Sequence, residues 1–454
     1  MTVATSDLAQ APSGAALRAA LAELVERAAG RRSVRFLLGT DEHIDRETRV
    51  AFAPRHLRDL RTDLAGLGLE VEMAVVAGAG ERASAAFSDA AYVEAGATLV
   101  TLDELPSLAP FDVVHALKEP TEWEATLAAP FLRVGALHLA SKPPGVCTLL
   151  RERPFAAIFD GATIGGCSFR LTGGDRTPIV GSMSRFAGRV AGRRVAEATA
   201  AAGLAPGRVV VVGAGIAGMA AISQLVDTAA PLVVVEPWEP TRRRLDGELR
   251  ALGFDRVEMV ETLDDDGLAA AIGVVFAHRS GARAAEKVCR EEHIRQMVDG
   301  AAIADIAIDQ GGAIAHAGYR EDDDAATARR KYIELFGDTY SYYAEVNMPR
   351  EHPEPASELH GDSSLIYIET LLALCAVDGG PEGVVDRLLG RDVHQCASDE
   401  RVADDLLDAV LQDLRNGLQI ARVASGDGHA VRIADPAVAE HRALVEWVHA
   451  CAAS

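Results

Sequence analysis

The sequence lacks several features that would define its class at once. None of its apolar stretches reaches the roughly 18 consecutive residues that a membrane-spanning helix needs. Residues 1–14 do not combine a basic start with an apolar run, as a secretory signal does. The six cysteines are scattered and none forms a C-x-x-C pair, so neither a disulfide framework nor a metal site is expected. These absences predict a cytoplasmic protein.

Basic residues are few relative to acidic ones. The 454 residues include 45 Lys and Arg against 67 Asp and Glu, which gives a net charge of −22. Such a surface repels phosphate backbones and anionic lipids, so nucleic acids and membranes are not expected as partners. The chain is 49% hydrophobic and can bury a sizeable core. At about 100–200 residues per domain, its length predicts two or three domains.

Strand and helix patterns alternate along most of the chain. Apolar runs at 34–38, 71–76, 98–101, 113–118 and 134–139 form one series, and runs at 209–212, 232–235, 257–260, 274–277 and 302–308 form a second. Strands that alternate with helices predict parallel sheets covered by helices on both faces. The predicted fold class is therefore α/β, with two Rossmann-like domains, parallel sheets and an interdomain cleft.

The same patterns suggest the domain boundaries. We assign residues 1–30 to an N-terminal extension, 31–185 to the first part of a catalytic domain, 186–340 to a dinucleotide-binding domain, and 341–454 to the second part of the catalytic domain with C-terminal helices. Helical spacing at 15–29 indicates a docking or dimer element, and residues 402–419 are expected to be helical.

A glycine-rich loop carries the most specific chemistry. Four valines run directly into G-x-G-x-x-G, whose glycines are Gly213, Gly215 and Gly218. In this motif the first glycine permits a tight turn, the second lets a pyrophosphate approach the backbone, and the third lets the helix pack on the strand. Ala214 and Ile216 lie between them and would contribute backbone N–H groups to the phosphate site. A purely structural glycine turn is the alternative.

The acid that follows the loop specifies the nucleotide. Glu236 ends the next predicted strand, 18 residues after Gly218, close to the spacing of about 20 expected for a carboxylate that binds the ribose hydroxyls. A carboxylate there repels a 2′-phosphate, so NAD is favoured over NADP as the cofactor. Three arginines just downstream could soften this discrimination, namely Arg242, Arg243 and Arg244.

Several short motifs resemble those of the alanine dehydrogenase and pyridine nucleotide transhydrogenase family, and they occur in the family's order. They are TRVAFAP at 48–54, AGAGE at 77–81, LKEP at 117–120, LHLA at 137–140, DIAIDQGG at 305–312 and VNMP at 346–349. The resemblance covers roughly residues 34–375. Saccharopine dehydrogenases are more distant relatives of this family.

The resemblance implies catalytic roles. Arg49 and Lys118 resemble the cationic pair that holds the substrate carboxylate and carbonyl. His138 resembles the histidine that polarises the carbonyl and exchanges its proton, and Asp309 the acid that orients ammonia, carbinolamine or water. These residue types suit the chemistry, since arginine offers a rigid fork to a carboxylate and histidine transfers protons near neutral pH.

Each of these four residues also has a structural alternative. Arg49 could form a surface ion pair, Lys118 could lie in a solvated loop, His138 could be a core histidine and Asp309 could cap a turn. Four other histidines lie in no such motif and are expected at the surface or in loops, namely His43, His56, His352 and His360.

Further binding roles follow from the same resemblance. Ser184 resembles a phosphate-binding element. Asn347 and Met348 resemble the loop that closes over substrate and nicotinamide. The sequence also departs from the family. Arg185 stands where the family usually has an acidic residue after Met-Ser, and His278 begins a polar stretch that is apolar in the family.

Residues 350–364 are more charged than the family's Thr- and Ser-rich stretch. Extra polar groups there would suit a larger or more polar substrate than alanine, whereas drift on an exposed loop is the alternative.

Together, motifs and resemblance predict an NAD-dependent oxidoreductase acting on the CH–NH2 group of an L-amino acid, by reversible oxidative deamination to a 2-keto acid and ammonia. The alternative is an opine- or saccharopine-type dehydrogenase, which acts on a secondary amine linking an amino acid and a keto acid. A third class is a non-catalytic NAD-binding subunit or sensor. The resemblance also implies a homo-oligomer with small-molecule partners.

Overall fold

A computed structural model describes most of the chain. The described residues are 13–28, 30–41, 47–136, 144–153, 155–161, 164, 179–204, 207–226, 228, 230–251, 256–278, 286–315, 325–345, 347–389, 406–425, 428–433, 446–447 and 450–451. They form two compact units. The larger is Met1–Ser182 with His352–Ser454, and the smaller is Met183–Glu351.

Strands and helices alternate through both units. The strands, in chain order, are β1 (Ser33–Leu38), β2 (Glu70–Val76), β3 (Thr98–Val100), β4 (Val113–His115), β5 (Leu132–Gly135), β6 (Ala156–Asp160), β7 (Arg208–Val212), β8 (Leu232–Val235), β9 (Val257–Val260), β10 (Ala271–Phe276), β11 (Cys289–Arg290), β12 (Ala302–Asp305), β13 (Ile314–Ala315), β14 (Ser341–Tyr343), β15 (Leu418–Ser425) and β16 (Gly428–Ile433). The helices within the described residues are α1 (Ser13–Arg27), α2 (Pro54–Gly66), α3 (Asp89–Glu94), α4 (Pro144–Glu152), α5 (Ile179–Ala201), α6 (Ile216–Leu225), α7 (Glu239–Ala251), α8 (Glu291–Ile294), α9 (Ala325–Phe336), α10 (Pro353–Val377), α11 (Pro381–Leu389) and α12 (Leu406–Gly417).

The larger unit is built on an eight-stranded sheet in the order β16-β15-β6-β5-β4-β1-β2-β3. Strands β1 to β6 are parallel, and β15 pairs antiparallel with both β6 and β16. The strand order reverses between β1 and β4. In such sheets ligands bind beyond the carboxyl ends of the strands at this switch point.

The smaller unit repeats the arrangement in a six-stranded, wholly parallel sheet, with the order β14-β12-β10-β7-β8-β9. Its switch point lies between β7 and β10. The four valines of β7 are at most 3% exposed, and every residue of β10 is buried. Continuous apolar strands of this kind are typical of parallel sheets covered on both faces. The predicted α/β class is confirmed, with the antiparallel hairpin of β15 and β16 as an addition.

Helix α1 is part of the core of the larger unit. Leu17, Leu21 and Val25 are at most 2% exposed, and they belong to the same apolar cluster as the helices and strands around β1. Arg18 also forms an ion pair with Glu369 of α10 at 3.2 Å. Helix α1 therefore docks within its own unit, where its apolar face is buried.

Several predicted elements end earlier than expected. Strand β4 stops at His115, since the N–H groups of Leu117 and Lys118 donate to the carboxylate of Asp41. Strand β12 stops at Asp305, and Ile306–Gln310 forms a 3₁₀ helix. Likewise, the helix expected at 402–419 ends at residue 417, where β15 begins.

The cysteines contradict the expectation that no disulfide forms. Cys147 of α4 and Cys451 are disulfide-bonded, with Cα atoms 4.8 Å apart and a sequence separation of 304. Spacing along the chain could not reveal a pair so distant. Among the described residues no single helix is both long and apolar enough to span a membrane; only α10 and α11 taken together, bent by 102°, reach that length and composition.

Candidate active site

The glycine loop lies at the switch point of the smaller unit, immediately after β7. Gly213 adopts a φ of +93°, which side chains other than glycine rarely tolerate. A Cβ on Gly218 would lie 1.8 Å from the carbonyl oxygen of Gly213, so α6 packs directly on the turn. A Cβ on Gly215 would meet no atom within 4 Å. The three glycines thus provide the turn, the close packing and the open approach that a dinucleotide pyrophosphate requires.

A cavity of about 610 Å³ opens beside this loop, within the size range of small-molecule sites. Its walls include most of the residues predicted to bind the cofactor, together with the carboxyl ends of β8, β9 and β10. The predicted members are Ser184, Gly213, Gly215, Ile216 and Glu236. His278 and Glu286 also line it, and burial lowers the pKa of His278. The residues of this cavity fit a bound NAD.

Glu236 fixes the loops on both sides of this cavity. One carboxylate oxygen accepts the N–H of Ala214 at 2.9 Å, and the other accepts the N–H of Trp238 at 3.0 Å. Arg242 donates to the carbonyl of Pro237 at 2.7 Å and lies 3.5 Å from the carboxylate of Glu261. Arg242 therefore holds the loop, and its engagement weakens the expectation that it would attract a 2′-phosphate.

In the larger unit, hydrogen bonds to Asp41, which follows β1, hold the loop after β4. The carboxylate of Asp41 accepts the N–H of Leu117 at 2.8 Å and that of Lys118 at 3.0 Å. Burial raises the pKa of Asp41, although the charge of Arg133 and these two N–H groups act in the opposite direction. The backbone of Lys118 is thus fixed at the switch point, three residues beyond the end of β4.

Arg133 supports this loop from within the sheet. Its side chain is fully buried and forms an ion pair with Glu124, with Nε and Nη2 at 2.8 and 3.1 Å from the carboxylate oxygens. It also donates to the carbonyl of Lys118 at 2.7 Å and to that of Ala116 at 3.2 Å. Burial raises the pKa of Glu124, and the charge of Arg133 opposes that shift.

Arg49 forms a buried two-point ion pair with Glu47. Its Nε lies 2.8 Å from one carboxylate oxygen and its Nη2 lies 2.7 Å from the other, and the two side chains are 3% and 1% exposed. Burial alone would raise the pKa of Glu47. Hydrogen bonds and charge from Arg49, with a further contribution from the charge of Lys118, instead lower the pKa to about 2. The structure therefore brings Arg49 and Lys118 together around Glu47.

Two histidines expected at the surface are buried next to these cations. His56 and His360 are 0% and 1% exposed, and the ring of His360 stacks on that of His115 with centroids 5.7 Å apart. Burial lowers the pKa of His115 to about 3, and it lowers the pKa of His360 as well, with help from the charges of His115 and Arg49. The earlier expectation is wrong because α2 and α10 meet here, which local sequence does not show.

The helix that contains His360 also corrects the interpretation of residues 350–364 as an exposed loop. Helix α10 begins at Pro353. Ser357 accepts the N–H of Val50 at 3.0 Å, and Asp362 binds Arg55 at 2.6 Å. These polar groups hold α10 against the segment that carries Arg49.

The remaining predicted residues are placed only in part. His138 lies outside the described residues; β5 leads towards it, and the N–H of Ala136 donates to the carbonyl of Leu117 at 2.9 Å. Asp309 lies within the 3₁₀ helix after β12 instead of at a strand end, and its side chain also falls outside the description. Asn347 has a φ of +56°, and Met348 is 2% exposed and packs in the core of the smaller unit.

Comparison with known proteins defines the family. The model of the alanine dehydrogenase/PNT N-terminal domain matches residues 40–187, and that of the C-terminal domain matches residues 181–379. An alanine dehydrogenase from Mycolicibacterium smegmatis is 30% identical over 359 residues, which cover 73% of this chain and 87% of that protein.

The chain belongs to the alanine dehydrogenase/PNT family.

Other members of the family show how far the likeness extends. An alanine dehydrogenase from Bacillus subtilis is 24% identical over 71% of this chain and 82% of its own length. A solved L-alanine dehydrogenase superposes with a TM-score of 0.61 at 20% identity, covering 91% of this chain and 100% of the other. A transhydrogenase from Sinorhizobium meliloti gives a TM-score of 0.58 at 18% identity, covering 76% and 96%. The predicted family and fold are confirmed.

Sequence reasoning missed two acidic residues of the site in this family member. Glu47 lies two residues before Arg49. This spacing of an acidic residue and an arginine was the feature of the sequence that could have indicated their ion pair. Asp41 lies three residues beyond β1, but nothing local indicates that it binds the N–H groups of Leu117 and Lys118, more than 70 residues away.

Proposed function

We propose that this chain catalyses the reversible, NAD-dependent oxidative deamination of an L-amino acid to a 2-keto acid and ammonia. The observation that carries the proposal is the buried Arg49–Glu47 pair with the half-buried Lys118 beside it in one unit, in a family member whose other unit holds a cavity fitted to a dinucleotide. A fixed pair of cations suits a substrate carboxylate, and the known relatives are alanine dehydrogenases.

Arg49 binds the substrate carboxylate in this proposal. Its guanidinium is held rigid by Glu47, which stays ionised at neutral pH because its pKa is about 2. The net charge of the Arg49–Glu47 pair is zero, so Lys118 gives the trio a net charge of +1. We assign Lys118 to the substrate carbonyl and carboxylate, which its fixed backbone allows it to reach reproducibly.

The proton steps fall to His138 and Asp309, as the family resemblance implies. A histidine near neutral pKa takes the proton released when the imine forms and hydrolyses. Asp309 orients the water or ammonia. When bound, NAD supplies the hydride acceptor. The open face of Gly215 and the carboxylate of Glu236 receive its pyrophosphate and ribose. Asn347 and Met348 keep the role that the resemblance implies for them, in the loop that closes over substrate and nicotinamide.

The opine-type alternative loses one of its supports. It relied on extra polar groups in residues 350–364, and the structure uses several of these groups internally. Glu358 and Asp362 bind Arg55, and Ser357 binds the backbone of Val50. These contacts account for the polar side chains without a larger substrate.

The reaction is tested with a panel of possible substrates. The purified chain is mixed with NADH, ammonia and individual 2-keto acids, and absorbance of NADH is followed. Consumption that requires both ammonia and a keto acid supports deamination. Consumption that requires a second amino acid in place of ammonia establishes the opine-type reaction instead. Absence of turnover with every donor pair, despite NADH binding, refutes both.

A second test addresses the substrate carboxylate. Arg49→Lys keeps the charge but removes the fork, and we expect KM for the amino acid to rise about ten-fold or more, with NADH affinity unchanged. The matched control is Arg27→Lys, since Arg27 is 78% exposed on α1. An unchanged KM for Arg49→Lys contradicts the assignment.

A third test addresses the cofactor. Gly215→Ala adds a methyl group to open space, so we expect the unfolding temperature to stay unchanged. The affinity for NADH should fall by about ten-fold or more, because the methyl group occupies the approach of the pyrophosphate. The control is Gly247→Ala on α7, which is also exposed with no atom within 4 Å. Unaltered NADH binding by Gly215→Ala contradicts the placement of the pyrophosphate.

We also propose a homo-oligomeric, cytoplasmic enzyme whose partners are its small-molecule substrates, since NAD and amino acids are intracellular metabolites. A cytoplasm keeps most cysteines reduced, so there the Cys147–Cys451 bond would be a minority or regulated state. Sedimentation velocity tests the oligomer, and thiol labelling in cell extracts before denaturation tests the compartment.

A further inference from the structure

Two arginines on α5 share one side of the helix and have no anionic partner. Arg185 and Arg189 are four residues apart and only partly exposed. Across the ranges that the structure describes, neither guanidinium forms an ion pair or hydrogen bond. Like charges at this spacing repel each other on a helix. Burial lowers the pKa of Arg185, and the charge of Arg189 lowers it further. An anion bound beside this half-buried pair of cations would relieve their repulsion.

The packing of α5 places this pair beside the glycine loop. A Cβ on Gly188 would lie 2.0 Å from the carbonyl of Ala217, and one on Gly192 would lie 2.6 Å from that of Ala221. From the first contact to the second, the position advances by four residues on both helices. Helices α5 and α6 therefore run parallel and are in contact. Arg185 precedes Gly188 by three residues and is therefore level with the turn at which α6 begins.

The residue before Arg185 lines the cavity. Ser184 lines the cavity together with Gly213 and Gly215, and Arg185 follows it in sequence. The first N–H groups of α6 lack helical partners and carry partial positive charge, which favours an anion at this end. The two arginines add formal charge at the same end of the helix.

We propose that Arg185 and Arg189 form a clamp for the diphosphate of the dinucleotide; the inference rests on the proposed function. A planar guanidinium matches two phosphate oxygens at once, which makes arginine well suited to this anion. The family usually has an acidic residue where Arg185 stands, and an acid there would neutralise Arg189 at the i, i+4 position. In this chain both positions are cationic, so the diphosphate site carries more positive charge.

The experiment compares Arg185→Gln and Arg189→Gln with Arg193→Gln, an exposed arginine on the same helix. Affinities are measured for NADH by its fluorescence, and for ADP-ribose and adenosine by calorimetry. We expect each of the first two variants to weaken NADH and ADP-ribose about ten-fold, with adenosine unchanged, because only the first two ligands carry the diphosphate. Arg193→Gln is expected to match the wild type for all three ligands.

Unfolding temperature separates the clamp from a structural role. Removing one of two repelling charges should leave the midpoint equal or higher, whereas a structural arginine would lower it. The clamp is refuted if the variants bind ADP-ribose like the wild type, or lose adenosine affinity to the same extent. Wild-type protein that binds ADP-ribose tightly but turns over no substrate refutes the proposed deamination and leaves the clamp standing. Wild-type protein that binds neither NADH nor ADP-ribose refutes both.

Discussion

Replacing Arg133 by leucine tests how the larger unit builds its candidate site. The guanidinium is completely buried and forms five hydrogen bonds, two to the carboxylate of Glu124 and three to the carbonyls of Ala116, Lys118 and Val134. These five bonds use every donor of an arginine. Arg133→Leu therefore removes the donor that the Glu124 carboxylate and the carbonyls of Ala116 and Lys118 share, whereas the carbonyl of Val134 still accepts the N–H of Ala116 at 3.2 Å.

The expected loss of stability follows from the burial of Glu124. Removing one member of a buried ion pair costs about 3–5 kcal/mol, because the other charge is left uncompensated. Burial already raises the pKa of Glu124 with Arg133 present. Without Arg133 the carboxyl group can take up a proton, which limits the cost to about 3 kcal/mol. For a unit of this size that corresponds to a fall of about 6–12 °C in the unfolding temperature.

Calorimetry and steady-state kinetics measure the two consequences. KM for the amino acid should rise several-fold because the carbonyl of Lys118 loses its anchor, while NADH affinity, which depends on the other unit, should not change. In the double variant Arg133→Leu with Glu124→Leu both charges are gone, and most of the stability should return. The reasoning fails if the single variant is as stable as the wild type, or if the double variant is no more stable than the single one.

Three further predictions concern protonation, nucleotide choice and the disulfide. The pKa of His115 is about 3 when folded against an ordinary 6.5, so the unfolded chain binds the proton first and stability falls as pH drops below 6.5. Between pH 6.5 and 5, urea titrations should show the wild type losing about 2 kcal/mol more than His115→Asn, in which His360 still contributes; equal losses would contradict this. Glu236→Ser should reduce the preference for NADH over NADPH about ten-fold or more, and an unchanged ratio of the two dissociation constants would show that Glu236 does not select the nucleotide. A reducing agent should lower the stability of the wild type by about 2–4 kcal/mol but leave Cys147→Ser unaffected, whereas six reactive thiols in non-reduced, denatured protein would show that Cys147 and Cys451 are not paired.

The sequence predicted the parts of the fold that local pattern determines. Predicted runs at 209–212, 232–235 and 257–260 correspond to β7, β8 and β9 within one residue. Within them, β8 and the four valines of β7 are continuous, buried apolar runs, which are typical of strands in parallel sheets. The turn at Gly213 was predictable for a similar reason, since its positive φ requires glycine and the motif specifies which one.

The errors occur where distant segments meet. The end of β4 depends on a side chain that accepts backbone N–H groups, that of Asp41, 76 residues from Leu117. His56 and His360 are buried because α2 and α10 pack together, and a glycine, Gly361, allows the contact: its Cβ would lie 2.2 Å from the ring of His56. Periodicity within one helix reveals none of this.

The two switch points present different groups to an anionic ligand, side chains in the larger unit and backbone N–H groups in the smaller one. In the larger unit, Asp41 accepts the N–H groups of Leu117 and Lys118, so these two donors are not available to a substrate carboxylate. We assign the binding of an anionic substrate there to the side chains of Arg49 and Lys118. In the smaller unit, Glu236 takes only one N–H of the loop, and the first turn of α6 stays open to a diphosphate. A backbone site tolerates any phosphate anion of the right shape, whereas a side-chain site can be altered residue by residue, so substrate preference in this family member should reside in the larger unit.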